Sequence, residues 1–562
     1  MKYYSEEAIN APLPECTIYG YLLESNKDHL DDVALNYFDR KITFKELFDS
    51  IERAAKAFTS LGVKQGDIIV MATVTTPETI YAVYGLNRIG AVANMVDPRT
   101  SVEGIKEYIS EVNAKYVLTI DAVYPKIEEV IVGSDVQKII VTSPADSLPQ
   151  PKKFLVNMVN KLKSTTPKLN NNSITWSDML ANGQTINYTA TTYQKGTCCA
   201  IEHTGGTTGM PKGVMLTNDN FNSAAAQIMN SPLRLNRQDI FLNIMPPFIA
   251  YGMVLGIHIA LTHGWQSIII PQFNPKDFSN LILKYRPAAI MGVPTYFDGL
   301  MDDPKLKGKD LSCIKVVLVG GDKALVELEK KVNTFFAEHN ANIHLSKGYS
   351  MTEASATATF AFEEINKPGS AGIPLVQTIV AAFEPETDKE LKVNESGEIC
   401  IYTPTMMSGY YGKKDETDKV LKKHSDGSVW IHSGDLGYID EDGCVYINGR
   451  LKRMIIRYDG FKVFPPFIED VVAKHESVES CCAVGTGDKE HSQGSLPVVY
   501  IVLKPEYRGN AAKISQELIN LCQEELPEYA QPVEYYFRES LPLTPIGKVD
   551  YRALEKDVEK IR

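Results

Sequence analysis

Helical and strand-like patterns alternate along the first half of the chain. Thr43 is the predicted N-cap of the first helix, and Gly62 is predicted to follow its end. The predicted order is helix 44–61, strand 68–72, helix 78–89, strand 91–96, helix 102–112, strand 116–120 and strand 138–141. Strands that alternate with helices pair in parallel, because each helix returns the chain to the same edge of the sheet. We therefore predict an α/β fold in which helices cover mostly parallel sheets.

The pattern changes after about residue 376. Short strand-like runs alternate with turn signals there, at 397–402, 429–432 and 444–448. We expect a small β-rich subdomain over about 376–450, at the end of a large N-terminal domain that spans 1–450. Residues 451–562 return to mixed helical and strand-like patterns, and they are long enough for a separate small α+β domain.

The charge balance argues against a nucleic-acid binder. Of 562 residues, 58 are Lys or Arg and 70 are Asp or Glu, and the formal charge of −12 is opposite to what a phosphate backbone attracts. Nine cysteines with no C-x-x-C spacing indicate buried thiols in a reducing compartment and argue against a zinc site. The first residues lack a basic segment followed by an apolar run, so we expect no signal peptide and a cytoplasmic protein.

A long uncharged stretch runs from Ile240 to Pro275. A membrane-spanning helix needs about 20 predominantly apolar residues. The run is interrupted by Pro246, Pro247, Tyr251, His258, His263 and Gly264. The pattern favours a loop, a buried helix over 251–261 and a buried strand over 267–270, rather than a membrane span.

A glycine- and threonine-rich segment occupies His203–Gly213 and reads HTGGTTGMPKG. Glycines let backbone N–H groups approach an anion, threonine hydroxyls add donors, and Lys212 adds a positive charge. The candidate phosphate-binding residues are Thr204, Gly205, Gly206, Thr207, Thr208, Gly209 and Lys212. The spacing matches neither the P-loop of the NTPases nor a dinucleotide fingerprint. A plain glycine-rich hairpin turn is the alternative interpretation.

Four further motifs follow in the chain. They are Gly348-Tyr-Ser-Met-Thr-Glu353, His432-Ser-Gly-Asp-Leu-Gly437, Gly449-Arg450 with Gly460, and Pro542-Leu-Thr-Pro-Ile-Gly-Lys-Val-Asp-Tyr-Arg552, with a weaker match at Gly409-Tyr410. In this order, the five motifs resemble those of the adenylate-forming superfamily, and the resemblance covers nearly the whole chain. Acyl-CoA synthetases, adenylation domains of peptide synthetases and firefly luciferase belong to it, and the match is nearest in kind to long-chain fatty acid–CoA ligases.

The resemblance implies a two-step reaction. ATP and Mg²⁺ would activate a small-molecule carboxylic acid as an acyl adenylate, with release of pyrophosphate, and a thiol such as CoA would then displace AMP. Lys212 and the threonines would bind the β- and γ-phosphates. The implied partners of the remaining residues are adenine for Tyr349, the α-phosphate for Thr352, Mg²⁺ for Glu353, the ribose for Asp435 and Arg450, and the substrate carboxylate with the α-phosphate for Lys548. Gly321, Asp322 and Ser350 complete the predicted nucleotide-binding set.

The resemblance also implies that the C-terminal domain is mobile. It would rotate about Lys452 between the two steps, and Gly460 would line the thiol channel in the second step. Two features depart from the family pattern: Arg453 stands where an acid is common, and Lys452–Gly460 is one residue longer. Asp322 and Lys347 are also unusual, and we expect either a pair near the nucleotide or acyl carbonyl, or a structural ion pair.

The acyl pocket is predicted to include Phe248, Ile249, Gly252 and Ser350. Amino-acid-activating relatives place an acid near the position of Phe248, and this chain has no acid there. The ammonium of an α-amino acid would be buried without a partner, so such a substrate is disfavoured. Many aryl-acid ligases carry a histidine where this chain has Ile249. The absence of this histidine weakens the assignment of an aryl-acid substrate. Acetate-type enzymes carry a tryptophan where this chain has Ser350, so we expect a pocket that is open but slightly constricted.

An insertion-like stretch at 144–172 carries one apolar helical face. Phe154, Leu155, Met158, Val159 and Leu162 form this face, with Lys152, Lys153, Lys161 and Lys163 around it. The segment is either a helix packed on the domain or a peripheral membrane contact at 152–163, which would reach membrane-resident fatty acids.

The leading functional hypothesis is a fatty acyl-CoA synthetase for medium or long chains. The alternatives are an enzyme that loads a carrier protein in trans, an aryl-CoA ligase, and a nucleotide-binding protein without turnover. Lys548, Glu353 and Asp435 are all present, which argues against the last alternative.

Overall fold

A computed structural model describes residues 3–150, 152–153, 168–204, 211–321, 324–491, 493–543 and 549–561. The α/β fold class predicted from the sequence is confirmed. Thr43 caps the helix Phe44–Ser60 by accepting from the Glu46 N–H, and Gly62 follows with φ +88°. The other predicted elements of this region form at Ile68–Ala72, Pro77–Arg88, Val92–Val96, Val102–Glu111, Tyr116–Ile120 and Lys138–Thr142.

An eight-stranded sheet is built mainly from these strands. Its order is Gly409–Tyr410, Gly213–Thr217, Cys198–His203, Val92–Val96, Ile68–Ala72, Tyr116–Ile120, Lys138–Thr142 and Ser173–Thr175. The first two pairings are antiparallel and the other five are parallel. The parallel strands therefore end at a common edge, and Cys198–His203 leads there into the glycine-rich segment.

A second sheet has seven strands and is parallel except at one edge. Its order is Ser346–Lys347, Val316–Val319, Ala289–Gly292, Ile240–Asn243, Gln266–Ile269, Val33–Tyr37 and Arg40–Thr43. Apolar residues of both sheets share one core, which includes Leu35, Leu242, Ala200 and Leu216. The opposite face of the eight-stranded sheet packs against Ile105, Ile109 and Ile127 of two covering helices.

The uncharged stretch forms a buried helix and a buried strand, as predicted. The helix differs from a regular α-helix, because Tyr251–Ile259 is π-helical and only Ala260–Thr262 is α-helical. The strand occupies Gln266–Ile269. Within the described ranges, no helix is both long enough and apolar enough to cross a membrane.

The remaining N-terminal elements surround these sheets. The other helices are Glu6–Asn10, Ile18–Asn26, Tyr124–Val130, Trp176–Gly183, Asn218–Met229, Phe278–Tyr285, Pro294–Met301, Val326–Glu338 and Lys414–Val420. Two short antiparallel pairs, Ser350–Met351 with Ala356–Thr357 and Thr359–Phe360 with Ile373–Pro374, precede an antiparallel five-stranded sheet. That sheet comprises Ile379–Phe383, Gly397–Tyr402, Leu421–Lys423, Val429–Ile439 and Val445–Arg450.

The C-terminal part has its own sheet and core. Val478–Gly487 and Ser495–Leu503 pair antiparallel, and Glu534–Arg538 joins in parallel. The helices are Pro465–Val472, Ala511–Glu525 and Tyr551–Ile561, and a small hairpin pairs Ile455–Ile456 with Lys462–Val463. Ile468, Val499, Ile501 and Leu518 pack in a cluster separate from the N-terminal core.

Candidate active site

The glycine-rich segment connects two hydrogen-bonded strands. Cys198–His203 pairs antiparallel with Gly213–Thr217, and His203 lies opposite Gly213. The Thr204 N–H donates to the Lys212 carbonyl at 3.0 Å, and the Lys212 N–H donates to Thr204 Oγ1 at 3.2 Å. These bonds hold the two ends of the segment together. Gly205, Gly206, Thr207, Thr208 and Gly209 lie outside the described residues.

The ammonium of Lys212 is held by an acid and an aromatic ring. Its Nζ lies 2.5 Å from Glu416 Oε2 and 4.7 Å from the centre of the Tyr410 ring. The hydrogen bonds from Lys212 and Lys419 lower the pKa of Glu416 to about 2. The Glu416 carboxylate is therefore ionised at neutral pH, and with the Tyr410 ring it fixes the orientation of Lys212.

Tyr410 also reaches Glu353. Its hydroxyl donates to Glu353 Oε1 at 2.7 Å, while its ring supports the Lys212 ammonium. Burial, and then the charge of Glu353, raises the pKa of Tyr410, so the phenol keeps its proton. Glu353 sits with Thr352 in the short turn Thr352–Ala354. We call Lys212, Glu353, Tyr410 and Glu416 the phosphate corner.

A second group of contacts centres on Asp435. The Tyr349 hydroxyl donates to the Asp435 carboxylate, and Arg450 Nε lies 2.8 Å from Asp435 Oδ1. Asp435 and Arg450 face each other on adjacent antiparallel strands. Burial, and then the Asp435 charge, raises the pKa of Tyr349 well above its usual range, so the phenol remains a donor. We call Tyr349, Asp435 and Arg450 the ribose corner.

Three of the predicted acyl-pocket residues, Phe248, Ile249 and Gly252, lie around the start of the π-helix. Phe248 is buried, and Ile249 is half-buried. Gly252 has no room for a side chain, since a Cβ there would lie 1.9 Å from the Pro246 carbonyl oxygen. Ser350 is half-buried and pairs with Thr357 in a short antiparallel ladder.

Lys347 has a buried acid as its partner. Its Nζ lies 2.6 Å from Glu329 Oε2 and donates to the Lys367 carbonyl at 3.1 Å. The Gly369 N–H also donates to the Glu329 carboxylate. Asp322, the partner suggested from the sequence, lies outside the described residues, whereas Gly321 precedes it with φ +82°. The sequence therefore missed Glu329, which carries no motif signal.

The connection to the C-terminal part carries the predicted hinge. Lys452 is exposed in the short turn Leu451–Arg453. The unusual basic residue Arg453 has a structural explanation, because its Nη2 lies 2.6 Å from Glu469 and donates to the Ala483 carbonyl. Gly460 is exposed near the tip of the hairpin with φ +83°. Lys548 lies outside the described residues.

Only the beginning of the lysine-rich segment can be described. Lys152 Nζ donates to Asp39 Oδ2 and to the Phe38 carbonyl, both at 3.0 Å. Lys153 Nζ donates to the Asp146 carbonyl at 2.8 Å. Both lysines therefore contact the domain itself. The apolar face and the other two lysines, at 154–163, lie outside the described residues.

Comparison with known proteins identifies the family. Residues 22–411 match the sequence profile of the AMP-binding enzymes, and residues 468–548 match that of the AMP-binding enzyme C-terminal domain. The first match alone covers more than half of the chain. The chain belongs to the AMP-binding enzyme family. It is an AMP-forming acid–CoA ligase, which uses ATP to adenylate a carboxylic acid and CoA as the thiol substrate.

Relatives of this ligase match over nearly their full length. A long-chain-fatty-acid–CoA ligase of Bacillus subtilis is 30% identical over 555 residues, covering 98% of this chain and 96% of the relative. A 4-coumarate–CoA ligase-like protein of Arabidopsis thaliana is 26% identical over 562 residues, covering 98% and 96%. The crystal structure of ATP-bound MatB from Rhodopseudomonas palustris superposes with a TM-score of 0.82 at 21% identity, covering 97% of this chain and 99% of MatB, and so has the same fold.

Tyr410 and Glu416 both contact Lys212, but only Tyr410 lies in a motif that the sequence showed. Gly409-Tyr410 was visible as a weak motif match, although nothing indicated that Tyr410 contacts both Lys212 and Glu353. Glu416 had no signal, because an acid on a short charged helix resembles any surface charge in the sequence. Its contact with Lys212 joins residues that are 204 positions apart.

Proposed function

We propose that this ligase activates a medium- or long-chain fatty acid. The observation that carries the proposal is the pair of apolar residues at the predicted acyl pocket, where buried Phe248 and half-buried Ile249 stand in place of an acid. Burial of an alkyl chain against apolar side chains stabilises the complex by about 25 cal/mol per Å² of apolar surface buried. The similarity to a long-chain-fatty-acid–CoA ligase over nearly the whole chain supports the same substrate class.

We further propose roles for the two corners. Lys212 would leave Glu416 and bind the β- and γ-phosphates. The ion pair between Lys212 and Glu416 is part-exposed, and breaking a solvent-exposed ion pair costs little free energy. Asp435, beside Arg450, would accept hydrogen bonds from the ribose hydroxyls. The buried Tyr349 would line the adenine pocket. Thr352 would donate to the α-phosphate. Glu353 would hold Mg²⁺, since the half-buried carboxylate offers the hard oxygen ligands that this ion prefers.

The C-terminal part would serve both half-reactions. Lys548 would bridge the substrate carboxylate and the α-phosphate during adenylation, since a fixed cation stabilises charge that develops on transferring oxygens. Rotation about the exposed Lys452 would then bring the hairpin that carries Gly460 towards the thiol channel. The exposed position of Gly460, with open space around its Cα, is compatible with the passage of a narrow pantetheine arm.

A panel of acids tests the fatty-acid proposal. Pyrophosphate release and acyl-CoA formation would be measured with ATP, CoA and saturated acids from acetate to palmitate, together with 4-coumarate and anthranilate. We expect kcat/KM to rise with chain length into the medium- or long-chain range. Preferential turnover of an aromatic acid would replace the proposal with an aryl-CoA ligase, to which the similarity with the Arabidopsis protein also points.

Two variants of Ser350 test the pocket itself. Ser350→Gly removes a hydroxymethyl group and should shift preference to longer acids, whereas Ser350→Trp should confine turnover to very short ones. Each accommodated methylene contributes about 0.8 kcal/mol, so two carbons change the specificity ratio roughly tenfold. Superimposable profiles for the wild type and both variants would show that Ser350 does not face the acyl chain.

A further inference from the structure

The five-stranded sheet carries a buried cluster of metal-ligating side chains behind the ribose corner. Glu398, Cys400 and His432 are all buried, and their ligand atoms lie within 4.8 Å of one another. Cys400 and His432 face each other on adjacent antiparallel strands. His424 approaches from the turn after Leu421–Lys423 and brings its Nε2 to 3.0 Å from His432 Nε2. We propose that Cys400, His424 and His432 form a binding site for a soft divalent transition metal, with Zn²⁺ as the representative ion.

The hydrogen bonds of His432 prepare its ring for such a role. Its Nδ1 lies 2.9 Å from Glu398 Oε2. A neutral ring that donates from Nδ1 leaves the Nε2 lone pair directed at His424. Histidines that bind metals usually donate their other N–H to a carboxylate or carbonyl in this way, which fixes the tautomer and raises the basicity of the ligand. Glu398 therefore orients His432 and need not itself bind the ion.

The separation of the two imidazoles is close to what one ion requires. Zn–N bonds are about 2.0–2.1 Å, so two nitrogens on a tetrahedral ion lie about 3.3 Å apart. The observed 3.0 Å needs only a small outward movement of one ring. His424 is half-buried and stacks on Trp430 with ring centres 5.5 Å apart. Its imidazole can therefore shift parallel to the Trp430 ring without losing this contact. Imidazole nitrogen and thiolate sulfur are both ligands that zinc takes, and a site with three protein ligands leaves a fourth position for water.

The charges also balance in a buried setting. Glu398 and Cys400 are both buried beside His432. A bound divalent cation displaces the thiol proton to solvent as the metal–sulfur bond forms. One thiolate and the Glu398 carboxylate then neutralise the two positive charges of the ion, which avoids an uncompensated buried charge.

The sequence argued against zinc because no C-x-x-C pair is present, whereas the proposed site does not depend on that spacing. Cys400 and His432 are neighbours across a strand pair rather than along the chain, and only the register of the sheet brings them together. The site is also connected to the ribose corner. Glu398 Oε1 accepts from the Gly434 N–H at 3.0 Å, one residue before Asp435.

Metal titration of the full-length protein tests the proposal. After treatment with a chelator, the protein would be titrated with Zn²⁺ alone, and with Co²⁺ as a spectroscopic probe. We expect one equivalent to bind, a thiolate-to-cobalt charge-transfer band with the visible bands of tetrahedral Co²⁺, and a Zn²⁺-dependent rise in Tm. Failure of the wild type to bind one equivalent, or a cobalt spectrum without the thiolate band, would overturn the proposal.

Matched variants separate the site from adventitious binding. Cys400→Ser should abolish the thiolate band, and His424→Gln, at the half-buried rim, should weaken Zn²⁺ binding at least about tenfold. Cys522→Ser removes another buried thiol, in the C-terminal part, and should leave both measurements unchanged. A thiolate band that persists in Cys400→Ser or disappears in Cys522→Ser would contradict the assignment. His424→Gln covers the case in which Cys400→Ser does not fold.

Discussion

The ribose corner and the phosphate corner each join acids to cations, but in different surroundings. Asp435 has 7% of its side chain exposed and is contacted by Arg450 and by the Tyr349 hydroxyl. The side chains of Lys212 and Glu416 are 29% and 35% exposed, and they meet between the start of the strand Gly213–Thr217 and the helix Lys414–Val420. A buried acid needs fixed partners, because desolvation of an unpaired charge is costly. An exposed pair loses little when one member changes its partner.

This difference suggests how each corner meets its ligand. The ribose corner would be assembled before ATP binds, because Asp435 and Arg450 lie on adjacent strands. In the phosphate corner, Glu416 and Tyr410 orient Lys212, which would leave them when phosphates bind. The predictions below test this division, from the largest expected effect to the smallest.

The largest effect is expected outside both corners. Lys548→Ala should lose adenylation while it keeps the thiol step, because a cation that bridges two developing anions acts in the first transition state. The loss should be on the order of a hundredfold or more in rate. Purified acyl-AMP and CoA would be supplied to the variant, with Lys560→Ala as a control near the chain end. An equal loss of thioesterification rate would contradict the proposal that Lys548 acts only in the first half-reaction.

The ribose corner should respond next. Asp435→Asn removes a charged acceptor, which is worth roughly 1.5–3 kcal/mol per hydrogen bond, so the KM for ATP should rise about tenfold or more. Asp426→Asn is the matched control, since Asp426 is an exposed turn residue of the same sheet. An unchanged KM in Asp435→Asn would reduce the ribose corner to a structural contact.

A third prediction concerns a buried acid that lacks the partners of Asp435. Glu202 lies on the strand that leads into the phosphate corner, and neither carboxylate oxygen has a hydrogen-bond partner in the described part of the chain. Burial raises its pKa well above the usual range. The folded state thus binds this proton more tightly than the unfolded state does. Its contribution to stability is complete below the unfolded pKa of about 4.3 and is lost as pH rises towards the folded pKa.

Glu202→Gln should therefore become more stable than the wild type as pH rises. Glutamine resembles the protonated acid and cannot ionise, so the difference in Tm should be small near pH 4 and grow towards pH 8. Glu107→Gln, at an exposed helical site, should give a constant difference. A Tm difference for Glu202→Gln that does not change with pH would mean that water or a rearrangement already solvates this carboxylate.

The smallest effect is expected from the exposed pair. Glu416→Gln frees Lys212 from an interaction worth about 0.2–1 kcal/mol, so the KM for ATP should change less than about fivefold, and downwards. Lys212→Ala should raise it instead, because the cation itself is lost. If Glu416→Gln raised the KM as much as Asp435→Asn does, Glu416 would be part of the binding site rather than a replaceable partner.

The elements of the N-terminal region were predictable because they depend on local signals. The period of apolar residues, the Thr43 cap and Gly62 gave the helix Phe44–Ser60 to within a residue. The π-helical geometry of Tyr251–Ile259 was not predictable, since an apolar run specifies burial but not the hydrogen-bond pattern. The length of the strand Val429–Ile439 was also underestimated at 429–432, because glycine and aspartate in its middle resemble a turn.

The sequence by itself determined which chemistry the chain carries, since its motifs are short segments whose residues act together wherever the fold places them. The tertiary structure decided how those segments are supported. It brought Glu416 to Lys212, Tyr410 to Glu353, Glu329 to Lys347 and His432 to Cys400. Such contacts join residues between 18 and 204 positions apart. They follow from strand register and from burial, which depend on the packing of the whole domain and leave no local pattern in the chain.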